Sequence, residues 1–135
     1  MPQIVAYLSF PGNCREAMSF YKECLGGELS LLTVAESPMG AQMPAEMGQH
    51  IMHSSLTSGG ITVMAADMNS DFKPGNAVHL CIVCDSEEEL NTLFNKLSEG
   101  GTVNHPVEKF FAGTIGDFVD KFGINWMLYY GDMQQ

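Results

Sequence analysis

Histidine, cysteine and methionine carry most of the chemistry open to this sequence. Its four histidines are His50, His53, His79 and His105, and its four cysteines are Cys14, Cys24, Cys81 and Cys84. Imidazole titrates near neutral pH and can act as acid, base or metal ligand. His79 is the catalytic candidate, because it stands in the apolar run Val78-His79-Leu80-Cys81-Ile82-Val83-Cys84, which reads as a buried strand. Its structural alternative is a neutral ring bonded to a strand neighbour. His50 and His53 lie three apart on one strand, so they point to opposite faces. Leu56 should face a core, which leaves His53 to reach a binding groove. His105-Pro106 reads as a loop or strand-edge feature.

The cysteines are spaced less favourably than they first suggest. Cys81 and Cys84 form a C-x-x-C, but three apart in a strand they face opposite ways and cannot share a zinc ion. Core thiols are the simpler reading. Cys14 lies near a helix start, where a thiolate is favoured, although an ordinary packing cysteine is the preferred reading. There is no Gly-x-Ser-x-Gly, phosphate loop, dinucleotide fingerprint or H-E-x-x-H motif.

Bulk properties narrow the partners. The 135 residues are 45% hydrophobic and 16% charged, enough for one domain with a true core. Six basic against sixteen acidic residues give a formal charge of −10. Arg15 is the only arginine, and no Lys or Arg occurs between Lys22 and Lys73. Phosphate neutralisation dominates nucleic-acid binding, so nucleic acid is excluded as a partner. Highly phosphorylated ligands are disfavoured for the same reason. No apolar run approaches the ~20 residues of a membrane span. Met1-Pro2-Gln3 does not begin a basic-then-apolar leader. The expectation is a cytoplasmic protein with no membrane partner.

The elements that must position these residues follow from periodicity. Ile4 to Phe10 is a strand. Asn13, with Glu16 three residues on, caps a helix whose buried stripe is Ala17, Phe20, Tyr21, Cys24 and Leu25. Gly26-Gly27 ends it. Glu28 to Val34, His50 to Ser58 and Ile61 to Asp67 are strands. Between them, Glu36 to Gln49 is a loop with Met39, Met43 and Met47 every fourth residue. After a polar linker, Met68 to Asn76, the order restarts. Ala77 to Cys84 is a strand, and Asp85 or Ser86 caps a helix with Glu87, Glu88 and Glu89 in its first turn. Strands follow at Thr102 to Val107, Thr114 to Val119 and Asn125 to Tyr130.

The two halves are a repeat. A shift of 74 lays Phe20 on Phe94, Lys22 on Lys96 and Gly26-Gly27 on Gly100-Gly101, and a shift of 63 lays Gly60-Ile61 on Gly123-Ile124 and Met64 on Met127. The expected architecture is α+β: two β-α-β-β-β modules, about 1–68 and 76–135, within one domain spanning 1–135. One helix per module leaves one face of each sheet for side chains, a ligand or a partner. Strand alternation assigns Ile4, Leu8, Val63, Leu80, Ile82 and Leu128 to the helix side. To the other side it assigns Val5, Tyr7, Ser9, Thr62, Met64, His79, Cys81, Asn125, Met127 and Tyr129.

At this point a resemblance is visible. Tyr7-Leu8-Ser9-Phe10-Pro11-Gly12-Asn13-Cys14-Arg15-Glu16-Ala17, followed by Phe20-Tyr21, resembles the opening of PhnB-like proteins of the vicinal oxygen chelate superfamily. That superfamily includes glyoxalase I, extradiol dioxygenases and bleomycin-resistance proteins. Gly59-Gly60, Ala66-Asp67, Phe110-Phe111-Ala112-Gly113 and Asp120-Lys121-Phe122-Gly123-Ile124-Asn125-Trp126-Met127-Leu128 match in order. Phe111 departs from the pattern, since relatives usually carry Trp there.

The resemblance implies paired βαβββ modules, a homodimer, and a small-molecule site in each half-barrel. In metal-using relatives, one residue from the first strand and one from the last strand of each module hold a divalent ion. Those positions fall here at Val5, Met64, His79 and Met127. Valine is no ligand, and thioethers suit soft Cu(I) rather than Zn, Ni, Mg, Mn or Fe. The expectation is therefore no metal and no cofactor. A one-residue slip would instead bring Tyr7, Ser9 or Asn125 into play and restore a divalent ion. The ligand-binding candidates are Tyr7, Ser9, His53, Thr62, Met64, His79, Phe111, Asn125, Met127 and Tyr129.

Three functions compete. The first is a metal-free protein holding a small organic ligand. The second is a metal-dependent lyase, isomerase or dioxygenase-like enzyme of the same superfamily. The third is a metal-free enzyme using His79 as acid or base. Whether the protein is an enzyme stays open on the sequence. Methyl transfer has no support, because no glycine-rich loop for S-adenosylmethionine follows the first strand.

Overall fold

The computed structural model describes residues 2–38, 40–42, 45–68 and 71–131. They form two compact units, Met1–Lys73 and Pro74–Gln135. The first contains β1 (Ala6–Phe10), α1 (Cys14–Leu25), β2 (Glu28–Thr33), β3 (Ile51–Ser58) and β4 (Ile61–Asp67). Its sheet runs β1-β4-β3-β2, with β1 parallel to β4 and the other pairs antiparallel. The second contains β5 (Leu80–Val83), α2 (Glu87–Leu97), β6 (Thr102–Phe110), β7 (Gly113–Val119) and β8 (Asn125–Gly131). Its sheet runs β5-β8-β7-β6 with the same pattern of directions. The α+β class and the β-α-β-β-β order of each unit are as expected.

The repeat holds at the level of strand register. In the first unit Ala6 lies opposite Val63, Tyr7 opposite Met64, Leu8 opposite Ala65 and Ser9 opposite Ala66. Adding 74 to the first member and 63 to the second gives Leu80–Trp126, Cys81–Met127, Ile82–Leu128 and Val83–Tyr129. These are the pairs that join β5 to β8. Because a slip of one residue would invert both faces, the agreement fixes which side chains share a side in each unit.

Each helix covers one face of its sheet. Leu8, Phe10, Leu56, Val63 and Ala65 are buried with Ala17, Met18 and Tyr21 of α1. In the second unit Leu90, Phe94 and Leu97 of α2 are buried with Phe118, Trp126 and Leu128. The Phe94 and Phe118 rings meet edge to face, 4.9 Å apart. Gly116 makes room for this, since a Cβ there would stand 2.7 Å from the Phe94 ring.

The structure corrects several local expectations. Asn13 precedes α1 but makes no side-chain cap bond. The Cys14 N–H instead donates to Asp67 Oδ1 at 2.9 Å, and the Ile51 N–H donates to Asp67 Oδ2 at 2.8 Å. A carboxylate at the end of β4 thus satisfies the helix start and the first residue of β3 together, a link across 53 residues that a local capping rule cannot see. At α2 the local rule suffices. Ser86 Oγ accepts the Glu89 N–H at 3.0 Å, and Glu89 Oε1 accepts the Asp85 N–H at 2.7 Å.

Ile4 precedes β1 and is exposed rather than packed on the helix. The strand expected from Ala77 begins only at Leu80, so His79 lies just outside it. β6 continues past Val107 to Phe110 and includes Pro106, which the outer position of β6 tolerates. Within the segment 36–49, expected as a loop, Gly40–Gln42 and Ala45–Met47 are single helical turns. Met39, Met43 and Pro44 lie outside the described residues.

Candidate functional site

The face of each sheet away from its helix carries most of the candidate residues. In the first unit, register sets Tyr7 beside Met64 and Met64 beside Ser55. Ser9 lies beside Ala66, Thr62 beside Thr57, and Leu32 beside His53. Tyr7 is 54% exposed, and its ring centre lies 6.0 Å from that of His53. Tyr7, Ser9, His53, Thr62 and Met64 therefore share one side, as alternation along β1, β3 and β4 requires.

In the second unit Cys81 lies beside Met127, and Val83 beside Tyr129. Met127 in turn faces Asp117, and Tyr129 faces Ile115. His79 is half-buried at the entrance to β5. Asn125 and Tyr129 are both buried, and their polar groups are turned to the backbone. The Asn125 amide donates to the carbonyls of Gly75 (3.0 Å) and Val78 (3.2 Å). The Tyr129 hydroxyl donates to the Ala112 carbonyl at 2.9 Å. Asn125 Oδ1 is buried with no hydrogen-bond partner.

Phe111 stands apart from this set. It sits in the β6–β7 turn, fully exposed, with its ring edge-on to Phe110 at 5.4 Å. Beside it lies an open depression of about 680 Å³ bounded by Glu87, Phe110, Phe111, Thr114 and Tyr130. The Thr114 hydroxyl donates to Glu87 Oε2 at 2.7 Å, and Lys109 Nζ is 3.8 Å from the same oxygen. From its place in the sequence, Glu87 is legible only as a helix-dipole partner. Phe110-Phe111-Ala112-Gly113 was the one signal pointing to this corner.

A second feature escaped the sequence altogether. His105 Nδ1 lies 2.9 Å from Asp117 Oδ2 and 3.1 Å from Oδ1. No spacing rule pairs residues across a hairpin whose register shifts on both sides of His105.

The four positions that the resemblance assigns to a metal in metal-using relatives, Val5, Met64, His79 and Met127, carry one valine, two thioethers and one imidazole. Among the described residues, no group of three His, Cys, Asp or Glu side chains is placed to hold a metal ion. The donor chemistry does not fit a hard or borderline divalent ion.

The thiols are muted by burial. Burial, the largest influence, outweighs the lowering by the hydrogen bond to Ser54 and, with the nearby Asp67 charge adding to it against a small effect of Arg15, leaves the Cys14 thiol pushed up to about 11. Cys14 opens α1, but loss of hydration outweighs the helix terminus. Burial also lifts Cys84 to about 11, helped by Glu89 and Asp85, and it raises Cys81. Cys81 is the only exposed member of the four. In native protein at mildly alkaline pH, a maleimide is expected to label Cys81 first and to reach Cys14 and Cys84 only on unfolding. Peptide mass spectrometry reads this directly, and early labelling of Cys14 would contradict the burial argument.

Comparison with known proteins places the chain. Residues 2–129 match the family model described as 3-demethylubiquinone-9 3-methyltransferase. Protein YjdN of Escherichia coli (strain K12) is 34% identical over 133 residues, covering 90% of each chain. The crystal structure of PA1353 from Pseudomonas aeruginosa is 38% identical with a TM-score of 0.87, covering 97% of this chain and 98% of that one. A PhnB protein from Bacillus cereus is 26% identical with a TM-score of 0.72, covering 96% and 100%. The fold extends to a glyoxylase/bleomycin resistance protein/dioxygenase domain from Frankia sp. EAN1pec, at 16% identity and a TM-score of 0.65. No helix among the described residues is long and apolar enough to cross a membrane.

Proposed function

The chain belongs to the family described as 3-demethylubiquinone-9 3-methyltransferase, the PhnB-like branch of the glyoxalase/bleomycin-resistance/dioxygenase superfamily. From that premise we propose that it binds a small, uncharged organic molecule on the helix-free side of its sheets, without the divalent ion that metal-using relatives hold. The observation that carries this reading is the placement of the six cations. Arg15 and Lys22 are on α1, Lys96 on α2, Lys109 on β6, and Lys73 and Lys121 between elements. None stands on β1, β3, β4, β5, β7 or β8. A phosphonate dianion would find no counter-charge there. Tyr7, His53, Met64 and Leu32 instead offer rings, a thioether and an alkyl chain, with Ser9, Ser55 and Thr62 as polar tips. Such a surface suits a planar or apolar guest.

Methyl transfer, the activity in the family description, is not part of the proposal. β1 runs into Pro11-Gly12-Asn13 and α1, with no glycine-rich turn to receive a sulfonium cofactor. A homodimer acting in the cytoplasm completes the reading. β1, β2, β5 and β6 are the outer strands of their sheets, and such strands favour pairing with a further chain.

A thermal-shift screen tests the proposal. Uncharged aromatic and apolar compounds should include some that stabilise the protein, by roughly 2.7 kcal/mol at a hundredfold excess over Kd. Phosphonates should give no shift. Stabilisation by phosphonates alone, or stoichiometric Ni, Zn, Mn or Fe retained through dialysis of untagged protein, would overturn it. His79 supports a second reading as acid or base, because it is half-buried at the entrance to β5, two residues before Cys81. Once turnover is found, His79→Ala should abolish most of it, and an unchanged rate would end that reading.

A further inference from the structure

We propose that His105 and Asp117 form a proton-accepting dyad on the helix-free side of the second sheet, prepared for a bound organic molecule that carries a weakly acidic hydroxyl. The imidazole Nδ1 sits 2.9 and 3.1 Å from the two carboxylate oxygens. A carboxylate only accepts, so Nδ1 must donate, and the neutral ring carries its hydrogen there. Nε2 is left with its lone pair directed away from Asp117. The His105 side chain is 74% exposed and that of Asp117 14% exposed, so the carboxylate is sheltered while the basic nitrogen is accessible.

Three features separate this arrangement from an incidental surface pair. The same address in the first unit is filled differently. Ser30 pairs with Ser55, and Ser55 faces Met64. In the second unit His105 pairs with Asp117, and Asp117 faces Met127. The fold forms without a charged pair at this position, so the dyad is not a requirement of the architecture. The β6–β7 register shifts both between Val103 and His105 and between His105 and Glu108. Bulges of this kind re-aim a side chain relative to its strand. Finally, the carboxylate lies in the row Cys81–Met127–Asp117–His105. The dyad therefore borders the surface proposed above for ligand.

The chemistry is a single proton transfer. The Nε2 lone pair takes the hydroxyl proton, and the electron pair of the broken O–H bond stays on the ligand oxygen. The imidazolium charge is balanced by Asp117, which positions the ring and does not itself take the proton. Returning the proton to the ligand restores the neutral ring.

The role as acceptor rests on the ligand reading, but its preparation can be measured without ligand. Long-range proton–nitrogen correlation spectra of native protein, recorded above the imidazole titration range, should show neutral His105 as the Nδ1–H tautomer. Asp117→Asn should release that preference. Diethyl pyrocarbonate should acylate His105 faster than the other three histidines, and severalfold more slowly after Asp117→Asn. A native ring found as the Nε2–H tautomer, or an acylation rate at His105 indifferent to Asp117→Asn, would overturn the dyad. Failure of the thermal-shift screen would leave these results standing and remove only the ligand reading.

Discussion

Replacing Asp120 by alanine is expected to lower the unfolding free energy by roughly 3–5 kcal/mol, the cost of leaving several buried donors without an acceptor. Asp120 is 3% exposed. Its Oδ1 accepts the N–H groups of Phe122 (2.8 Å) and Ile124 (3.0 Å), and its Oδ2 accepts the Trp126 indole N–H at 2.7 Å. The carboxylate therefore ties the β7–β8 turn to the largest buried side chain of the second core. For a chain of this length the loss corresponds to a fall of roughly 10–18 °C in Tm. Asp120→Asn is a finer probe. Its oxygen can still accept from the turn, but its NH₂ then faces the indole N–H, donor against donor. Adding Trp126→Phe removes that conflict, so the double variant should lose less than the sum of the two singles. Urea unfolding followed by circular dichroism gives the three values. Strict additivity would mean that the indole bond contributes nothing.

The same segment shows what could be read from sequence and what could not. Asp120-Lys121-Phe122-Gly123-Ile124-Asn125-Trp126 was legible as a family signature and as half of a repeat, because duplication preserves spacing. That spacing carries over to the structure, where the β1–β4 pairs map onto the β5–β8 pairs by the same two shifts. The physical reason for Asp120 was not legible, since a carboxylate in a turn looks the same whether it caps a buried indole or points to water. Asp67 illustrates the same limit at longer range. Its two bonds, to Cys14 and Ile51, join segments that only the folded sheet brings together.

Candidate site residues divide along similar lines. Alternation put Tyr7, Ser9, Thr62 and Met64 on one side of the first sheet, because a period of two survives in regular strands. It could not foresee that Asn125 and Tyr129 would turn their polar groups to backbone carbonyls. Nor could it pair His105 with Asp117, since the bulges in β6 break the count that alternation depends on. Phe111 was visible as a family position, but its full exposure depends on the shape of a turn rather than on any pattern of side chains.

Gly27→Ala is the second change with a large expected effect, roughly 3–4 kcal/mol. Both halves place a Gly-Gly pair after the helix, and in both the second glycine packs against the backbone where a central strand ends. A Cβ on Gly27 would meet the Thr57 carbonyl and stand 2.6 Å from Ser58 Cβ and 2.8 Å from Ser58 Cα. A Cβ on Gly101 would meet the Val119 carbonyl and stand 2.9 Å from Asp120 Cα. Backbone cannot step aside as a flexible side chain can, so the strand end or the helix end must move. Gly27 also has φ +89°, where a Cβ adds about 1–2 kcal/mol of local strain. Gly26 has φ +76° with nothing within 4 Å of its would-be Cβ, so Gly26→Ala should cost only that strain. Gly101→Ala has the close approach without the unusual dihedral, and roughly 2–3 kcal/mol is expected. The four variants Gly60→Ala, Gly26→Ala, Gly101→Ala and Gly27→Ala should therefore lose stability in that order, the first being nearly neutral because its surroundings are open. Chemical denaturation midpoints provide the ranking. If Gly26→Ala proved as costly as Gly27→Ala, dihedral strain alone would account for both, and the close approach of the helix end to the sheet would carry no energy.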